Sequence, residues 1–349
     1  MPSARPARYA ADTWAGGFTI DPEYVAAISA ATGTVVAATE RLYLLRPGAT
    51  RFQCRDLPEG AGDAMCVAVE PRRPGSQGRF AVATIDSLHI YEREGVASVK
   101  FPEDHGEVLQ LLWAPRLHDA DPTFVLYLRF ADFMLQLAPE GGRFGTFLQL
   151  GGLIERADAM ATDDTGIAFA CFDEDSWELT IWFLADPKTT DWYHRNLEAP
   201  DFYTGATLAM AGGSIALSFN DGGVWMTRDI REHAFTEVES LRGRLGTGEG
   251  GGGAPIVFEG AARDAALLAA VRDSRTTQHI VRVDAEGRAA RVAEVETDGS
   301  DAQLSPAPPL RAMAWDSTRR TLWSAAGRAG ILASTAAGAP WPLGAKAAS

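Results

Sequence analysis

Cysteine and asparagine are nearly missing from this sequence: 349 residues contain only Cys54, Cys66 and Cys171, and only Asn196 and Asn220. Three scattered cysteines exclude a disulfide framework, and none has the close partner that a zinc-type pair requires. Each lies in an apolar strand pattern, where a thiol packs as a small hydrophobe. The shortage of asparagine speaks against a central divalent cation held by Glu, Asn and Asp oxygens. The six histidines, His89, His105, His118, His194, His233 and His279, show no close pairing of the kind metal sites use. No Gly-x-Ser-x-Gly elbow occurs, and the glycine run at 248–253 lacks the Lys and Ser or Thr of a phosphate-cradling loop. No segment reaches the roughly 18 consecutive apolar residues of a membrane-spanning helix. Residues 1–15 carry Arg5 and Arg8 without an apolar stretch of signal-peptide length. These absences lead to the expectation of a cytoplasmic protein with no membrane insertion, no cofactor, no metal and no catalytic residue assigned.

What is present is acidic. Against 32 basic residues stand 46 acidic ones, a net charge of −14, which repels phosphate backbones and anionic lipid surfaces. Nucleic acid is therefore not an expected partner, and a protein with a basic or neutral surface is. The small basic clusters Arg72 with Arg73 and Arg319 with Arg320 read as solvated turns. A hydrophobic share of 46% leaves ample material for a core, and a chain of this length must either divide into domains or repeat a small unit.

It repeats. From Tyr24 onward, short apolar runs separated by turn residues replace any sustained helical period. The first unit has runs at 24–29, 34–39, 41–45 and 51–57, and the same order returns at 65–69, 79–84, 87–91 and 96–101, and again from Val108 to Leu150. Units start near residues 24, 65, 108, 157, 206, 255 and 310, a period of about 40 to 50 residues with four strands each. A lone four-stranded sheet exposes two faces and two edges, whereas radial stacking buries the faces between neighbours. The small apolar runs at 35–38, 81–84 and 168–171 suit the crowded innermost strands. The last unit supplies three strands before Pro340, Trp341 and Pro342, so residues 14–20 are expected to complete it. Insertions at 245–253 and 297–309 read as mobile surface loops.

On these repeats the chain from about Phe18 to Leu332 resembles the β-propeller superfamily, including its WD40-like and sialidase-repeat members. The implied fold is all-β: a closed seven-bladed β-propeller of four-stranded antiparallel blades, closed by an N-terminal strand. The implied organisation is a flexible arm at 1–13, a propeller domain at 14–335 and a flexible tail at 336–349. The Trp-Asp and Gly-His signatures of WD40 repeats are absent, since Trp315-Asp316 occurs in the wrong strand. Ser218, Asn220, Gly222 and Trp225 resemble the Asp-box turn of sialidase-like propellers, with Asn220 in place of its Asp. In such a turn the short polar side chain bonds nearby amides, glycine supplies a positive φ and tryptophan packs into the blade. An ordinary Asp-Gly-Gly hairpin reads the same residues equally well. A sialidase site would need several arginines converging at one mouth; Arg129, Arg272 and Arg282 are strand-embedded candidates that nothing in the sequence locks together.

Two features remain for a partner. Acidic residues Asp163, Asp164, Asp173, Glu174 and Asp175 flank the apolar run 167–172; they read first as solvated hairpin ends of an acidic protein, and second as a site for a cation or a basic peptide. Aromatics Trp177, Trp182, Trp192, Tyr193 and Tyr203 gather around them in sequence. Carboxylates beside exposed aromatics suit a peptide carrying Arg or Lys, which makes Asp173, Glu174, Asp175, Trp192, Tyr193 and Tyr203 the candidate partner-binding residues. The expected function is a non-enzymatic protein–protein interaction scaffold, a subunit of a bacterial multiprotein assembly or regulatory system. The alternative is a propeller hydrolase or lyase with its site in the axial funnel.

Overall fold

The structure is a computed structural model. It describes residues 8–9, 14–15, 19–20, 27–71, 78–101, 106–117, 124–131, 134–137, 147–149, 157–186, 188–189, 191–201, 203–219, 223–242, 253–272, 277–296, 310, 312–325 and 331–336. The insertions read at 245–253 and 297–309 fall outside these residues apart from Gly253, as do 1–13 apart from Arg8–Tyr9 and 337–349.

Seven antiparallel sheets follow one another along the chain in a propeller-like architecture. Their first strands are Ala27–Ala31, Cys66–Val69, Val108–Pro115, Ala157–Asp163, Ala206–Ala211, Ile256–Phe258 and Ala312–Asp316. Each of the first six is a meander of four consecutive strands. Tight turns set the register. Thr32 and Gly33, at φ 46 and 79, form a two-residue hairpin with both residues left-handed, and Gly212 and Gly213 do the same at 56 and 84.

The seventh sheet has three strands of its own, Ala312–Asp316, Thr321–Ala325 and Ile331–Ala336. Trp14–Ala15 and Thr19–Ile20 both pair antiparallel with Ile331–Ala336, so residues near the start of the sequence extend its last sheet. Arg8–Tyr9 goes further back and pairs with Ala293 and Glu294 on the outer strand of the sixth sheet, Ala289–Glu296. No sequence signal announced that second pairing.

The core lies between sheets. Seven apolar clusters each join one sheet to the next: Val36, Leu42 and Val82 join the first to the second, for example, and Leu179, Ile181 and Leu217 the fourth to the fifth. One of the seven joins the last sheet to the first through Trp323 and Ile331 against Val35, Tyr43 and Leu45. Polar side chains stitch the same junctions by reaching a neighbouring backbone. Ser29 Oγ accepts from Val69 N at 3.1 Å, Trp113 Nε1 donates to Ala68 O at 3.3 Å, and Gln110 both donates to Met160 O and accepts from Met160 N at 2.7 and 3.0 Å. Asp163 accepts from Gly213 N at 3.1 Å, Ser218 Oγ donates to Ala254 O at 2.5 Å, and Arg319 donates to Gly33 O and Arg46 O, each at 2.7 Å.

One expectation is corrected. The small runs at 35–38, 81–84 and 168–171 belong to the second strand of their sheets, whereas the first strands are the ones that meet from sheet to sheet. A second strand is flanked by strands on both sides and by sheets on both faces, so Val35, Val36, Ala37 and Ala38 are wholly buried without being innermost.

Candidate functional site

The fourth sheet carries the features that the sequence singled out. Its strands, Ala157–Asp163, Gly166–Asp173, Glu178–Leu184 and Trp192–Glu198, are seven or eight residues long. At one end, the hairpin between the second and third strands holds Asp173, Glu174 and Asp175, all exposed. Asp173 Oδ2 accepts from Ser176 Oγ at 2.9 Å and Oδ1 from Asp175 N at 3.0 Å. The Ser176 hydroxyl, with the Asp175 amide, holds that carboxyl below its ordinary range. Asp173 thus shapes its own turn, and Trp177 follows at φ 57 with its indole N–H donated to Pro200 O at 3.2 Å. Glu174 and Asp175 are left facing outward.

Trp192 and Tyr193 lie elsewhere. The register pairs Leu184 with Trp192 and Glu178 with Glu198, while Asp173 pairs with Glu178. Six residues of strand, roughly 20 Å at about 3.4 Å each, therefore separate these aromatics from the acidic hairpin. Trp192 packs against Phe169 with ring centroids 6.0 Å apart, and Tyr193 is 39% exposed beside Phe183. Tyr203 does reach the acidic end but turns inward, its ring 4.4 Å from Phe172 and 6.1 Å from Phe219 of the fifth sheet. Of the six candidate partner residues, the structure groups Asp173, Glu174, Asp175 and Tyr203 at one end of the sheet and Trp192 with Tyr193 at the other.

Tyr203 belongs to a buried polar cluster with Arg129 and Asp158; the sequence singled out Tyr203 and Arg129 for separate reasons and did not single out Asp158. Arg129 is the last residue but one of the second strand of the third sheet, Asp158 is the second residue of the fourth sheet, and Tyr203 precedes the fifth. Burial pushes the Asp158 carboxyl up, against the Phe172 N–H that it accepts at 2.9 Å and against the Arg129 charge. Burial likewise pushes Arg129 down, with Asp158 opposing, and pushes the Tyr203 phenol up, with Asp158 adding to it. The Tyr203 hydroxyl and Arg129 Nε have no hydrogen-bond partner of ordinary geometry among the described residues. Two thiols adjoin: Cys66, donating to Val108 O at 3.4 Å, and Cys171, each pushed up to about 12 by burial and so held protonated. The signal that could have revealed this place is Asp158 itself, a carboxylate standing between Ala157 and the buried run Ala159–Ala161 of its strand.

The other singled-out residues disperse. Ser218 is fully buried, and its hydroxyl donates to Ala254 O, just ahead of the sixth sheet, rather than to a local turn. Trp225 packs into the apolar cluster shared by the fourth and fifth sheets, while Asn220 and Gly222 lie outside the described residues. Arg282 pairs with Glu259 at 2.5 Å, and its register with Leu268 places it at the opposite end of the sixth sheet from Arg272. Asp163 bonds Thr165 and Gly213. No group of three His, Cys, Asp or Glu able to hold a metal occurs among the described residues, nor any helix long and apolar enough to cross a membrane.

A cavity of about 620 Å³ lies between the first and second sheets, lined by Thr34, Leu44, Glu70, Phe80, Tyr91 and Arg93 among others. Its wall includes Glu70, which is buried and ion-paired with Arg79 at 2.9 Å, and the Phe80–Tyr91 stack at 4.5 Å. Burial pushes the Tyr91 phenol up to about 12.

No protein-family model matches the chain, and no curated protein is similar to it in sequence. Solved structures are. The chain is similar to PorZ, described as an essential bacterial surface component of the type-IX secretion system of Porphyromonas gingivalis, with a TM-score of 0.56 and 14% identity over 93% of this chain and 39% of that one. It is also similar to BBS1N, solved in complex with ARL6DN, with a TM-score of 0.52 and 15% identity over 91% of this chain and 95% of that one. The chain thus spans about two fifths of the PorZ chain. At such identities the likeness concerns fold alone.

Proposed function

We propose that the seven sheets close into a single seven-bladed propeller, and that the chain is a protein-interaction scaffold working as a subunit of a multiprotein assembly. The apolar cluster between the seventh and first sheets supports closure, because every sheet then has a packed neighbour on both faces. The observation that carries the functional reading is the outer strand of the fourth sheet, Trp192–Glu198. It is a long edge with exposed Tyr193, His194, Asn196 and Glu198, held on a rigid packed body. PorZ, a secretion-system component, and BBS1N, seen in a complex, give the reading company at the level of fold. Three unpaired thiols suit a reducing compartment such as the cytoplasm.

The test is affinity capture of the tagged full chain from its native host, alongside Tyr193→Ala and Glu198→Ala. Both positions are exposed, so neither change should disturb folding, whereas Trp192→Ala would open the packing on Phe169. A specific protein held by the wild type and lost in either variant supports the scaffold. Recovery of the chain alone under gentle conditions overturns it.

One observation favours a second reading, a small-molecule hydrolase or lyase. Arg129, Asp158 and Tyr203 converge from three sheets where the first strands begin, and burial shifts all three. Loss of a turnover activity in Asp158→Asn with an unchanged fold would establish that reading.

A further inference from the structure

We infer that the Trp192–Glu198 edge takes an extended segment of a partner protein as a fifth, antiparallel strand, with a basic side chain of that segment seated at Glu178 and Glu198. This rests on the scaffold reading and specifies its partner.

The molecule itself demonstrates the geometry. On its sixth and seventh sheets the outer strand is already covered by short added strands, Arg8–Tyr9, Trp14–Ala15 and Thr19–Ile20, every one antiparallel. The outer strands of the other sheets, Gln53–Asp56, Val96–Lys100, Phe147–Gln149 and Thr236–Glu237, run from two to five residues. Trp192–Glu198 has seven, in unbroken register with Glu178–Leu184, and among the described residues nothing pairs with its outer side. A long edge in unbroken register is a template for strand addition.

Its polar groups set the fit. Arg195 Nη1 donates to His194 O at 3.0 Å, which identifies the His194 peptide groups as outward-facing. Antiparallel alternation then turns the N–H and C=O of residues 192, 196 and 198 the same way. Glu178 and Glu198 stand directly opposite each other on one face, a like-charge pairing that weakens a sheet. Asn196 Nδ2 donates to Glu178 at 2.9 Å, and among the described residues no basic group pairs with either carboxylate. A Lys or Arg opposite Glu198 removes that repulsion. Arg195, whose Nη2 also reaches Arg231 O at 3.1 Å, favours an acidic residue opposite the middle of the edge. A second copy of this chain fits poorly: twofold antiparallel pairing centred on this strand sets Arg195 against Arg195.

The probe is a blocked, fluorescein-labelled heptapeptide, Lys-Val-Thr-Glu-Thr-Val-Phe, whose lysine falls opposite Glu198 and whose glutamate falls opposite Arg195. It is titrated against the full chain by anisotropy. Saturable binding is expected, weakened at least tenfold by His194→Pro. That change removes one outward N–H and leaves the bonds to the inner strand, as circular dichroism and the melting midpoint will verify. Exchanging the peptide lysine for glutamate should weaken binding at least fivefold on the wild type and restore it on Glu198→Lys. Absence of binding, or binding indifferent to both His194→Pro and the charge exchange, overturns the inference. So does a dimer of the chain, seen by sedimentation, that His194→Pro dissolves, because the edge then belongs to a second copy. Host-protein capture by wild type and His194→Pro alike would sink the edge while leaving the scaffold reading standing, and capture by neither would remove both.

Discussion

Single residues at the sheet junctions carry an unusual share of this fold. Arg319 is the clearest: its guanidinium donates to Gly33 O, Arg46 O and the fully buried carboxylate of Asp316, at 2.7, 2.7 and 2.6 Å. Arg319→Met leaves that carboxylate without its charge partner, and removing one member of a buried pair costs about 3–5 kcal/mol. Urea unfolding should show that loss, and the double variant Asp316→Asn with Arg319→Met should recover at least about 1 kcal/mol of it. Asp229 acts at a different pH. Arg231, bonded to it at 2.9 and 2.7 Å, holds its carboxyl at about 2 in the folded chain. A depressed acid stabilises the fold above its unfolded value of about 3.9 and loses that contribution as pH falls through the folded value. The stability difference between wild type and Asp229→Asn should therefore be constant above about pH 5 and shrink towards pH 2. A difference that persists at pH 2 contradicts the assignment.

At the scale of elements, the added strands decide how the perimeter ends. The sixth and seventh sheets would otherwise present Ala289–Glu296 and Ile331–Ala336 as open edges. Deleting residues 1–20 should raise amide hydrogen exchange in those two strands, while Ser214–Phe219, buried throughout its length, stays protected. The truncated chain should also aggregate more readily, because two unpaired edges are exposed. Uniform loss of protection would mean instead that the added strands support the whole molecule.

For the whole molecule, the question is whether the junction between the seventh and first sheets is equivalent to the others. Leu45 sits in that junction and Leu267 in the one between the fifth and sixth sheets, both fully buried. In a closed ring each Leu→Ala change removes a side chain from a packed interface, at about 2–5 kcal/mol. Matched losses in denaturant midpoint support closure; a far smaller loss at Leu45 indicates a loose seam. The net charge of −14 adds a solution property: association with a basic segment at Glu178 and Glu198 should weaken with rising salt.

All-β character and seven successive sheets, six of them built on four-strand meanders, were determined by the sequence itself, because short apolar runs and turn residues are local signals repeated along the chain. Tertiary structure alone decided which residues meet. Small apolar side chains made 35–38 look innermost, but they suit equally a second strand flanked on all sides, and only the packing shows that the first strands meet from sheet to sheet. The clustering of Trp192 and Tyr193 with the acidic residues was an effect of sequence proximity, and strand register carries them to opposite ends of one sheet. Arg129, Asp158 and Tyr203 converge although they are far apart in sequence, since each stands at the same end of its own sheet. Local periodicity specifies a strand and its faces, whereas register and sheet-to-sheet packing fix which strand ends share a neighbourhood.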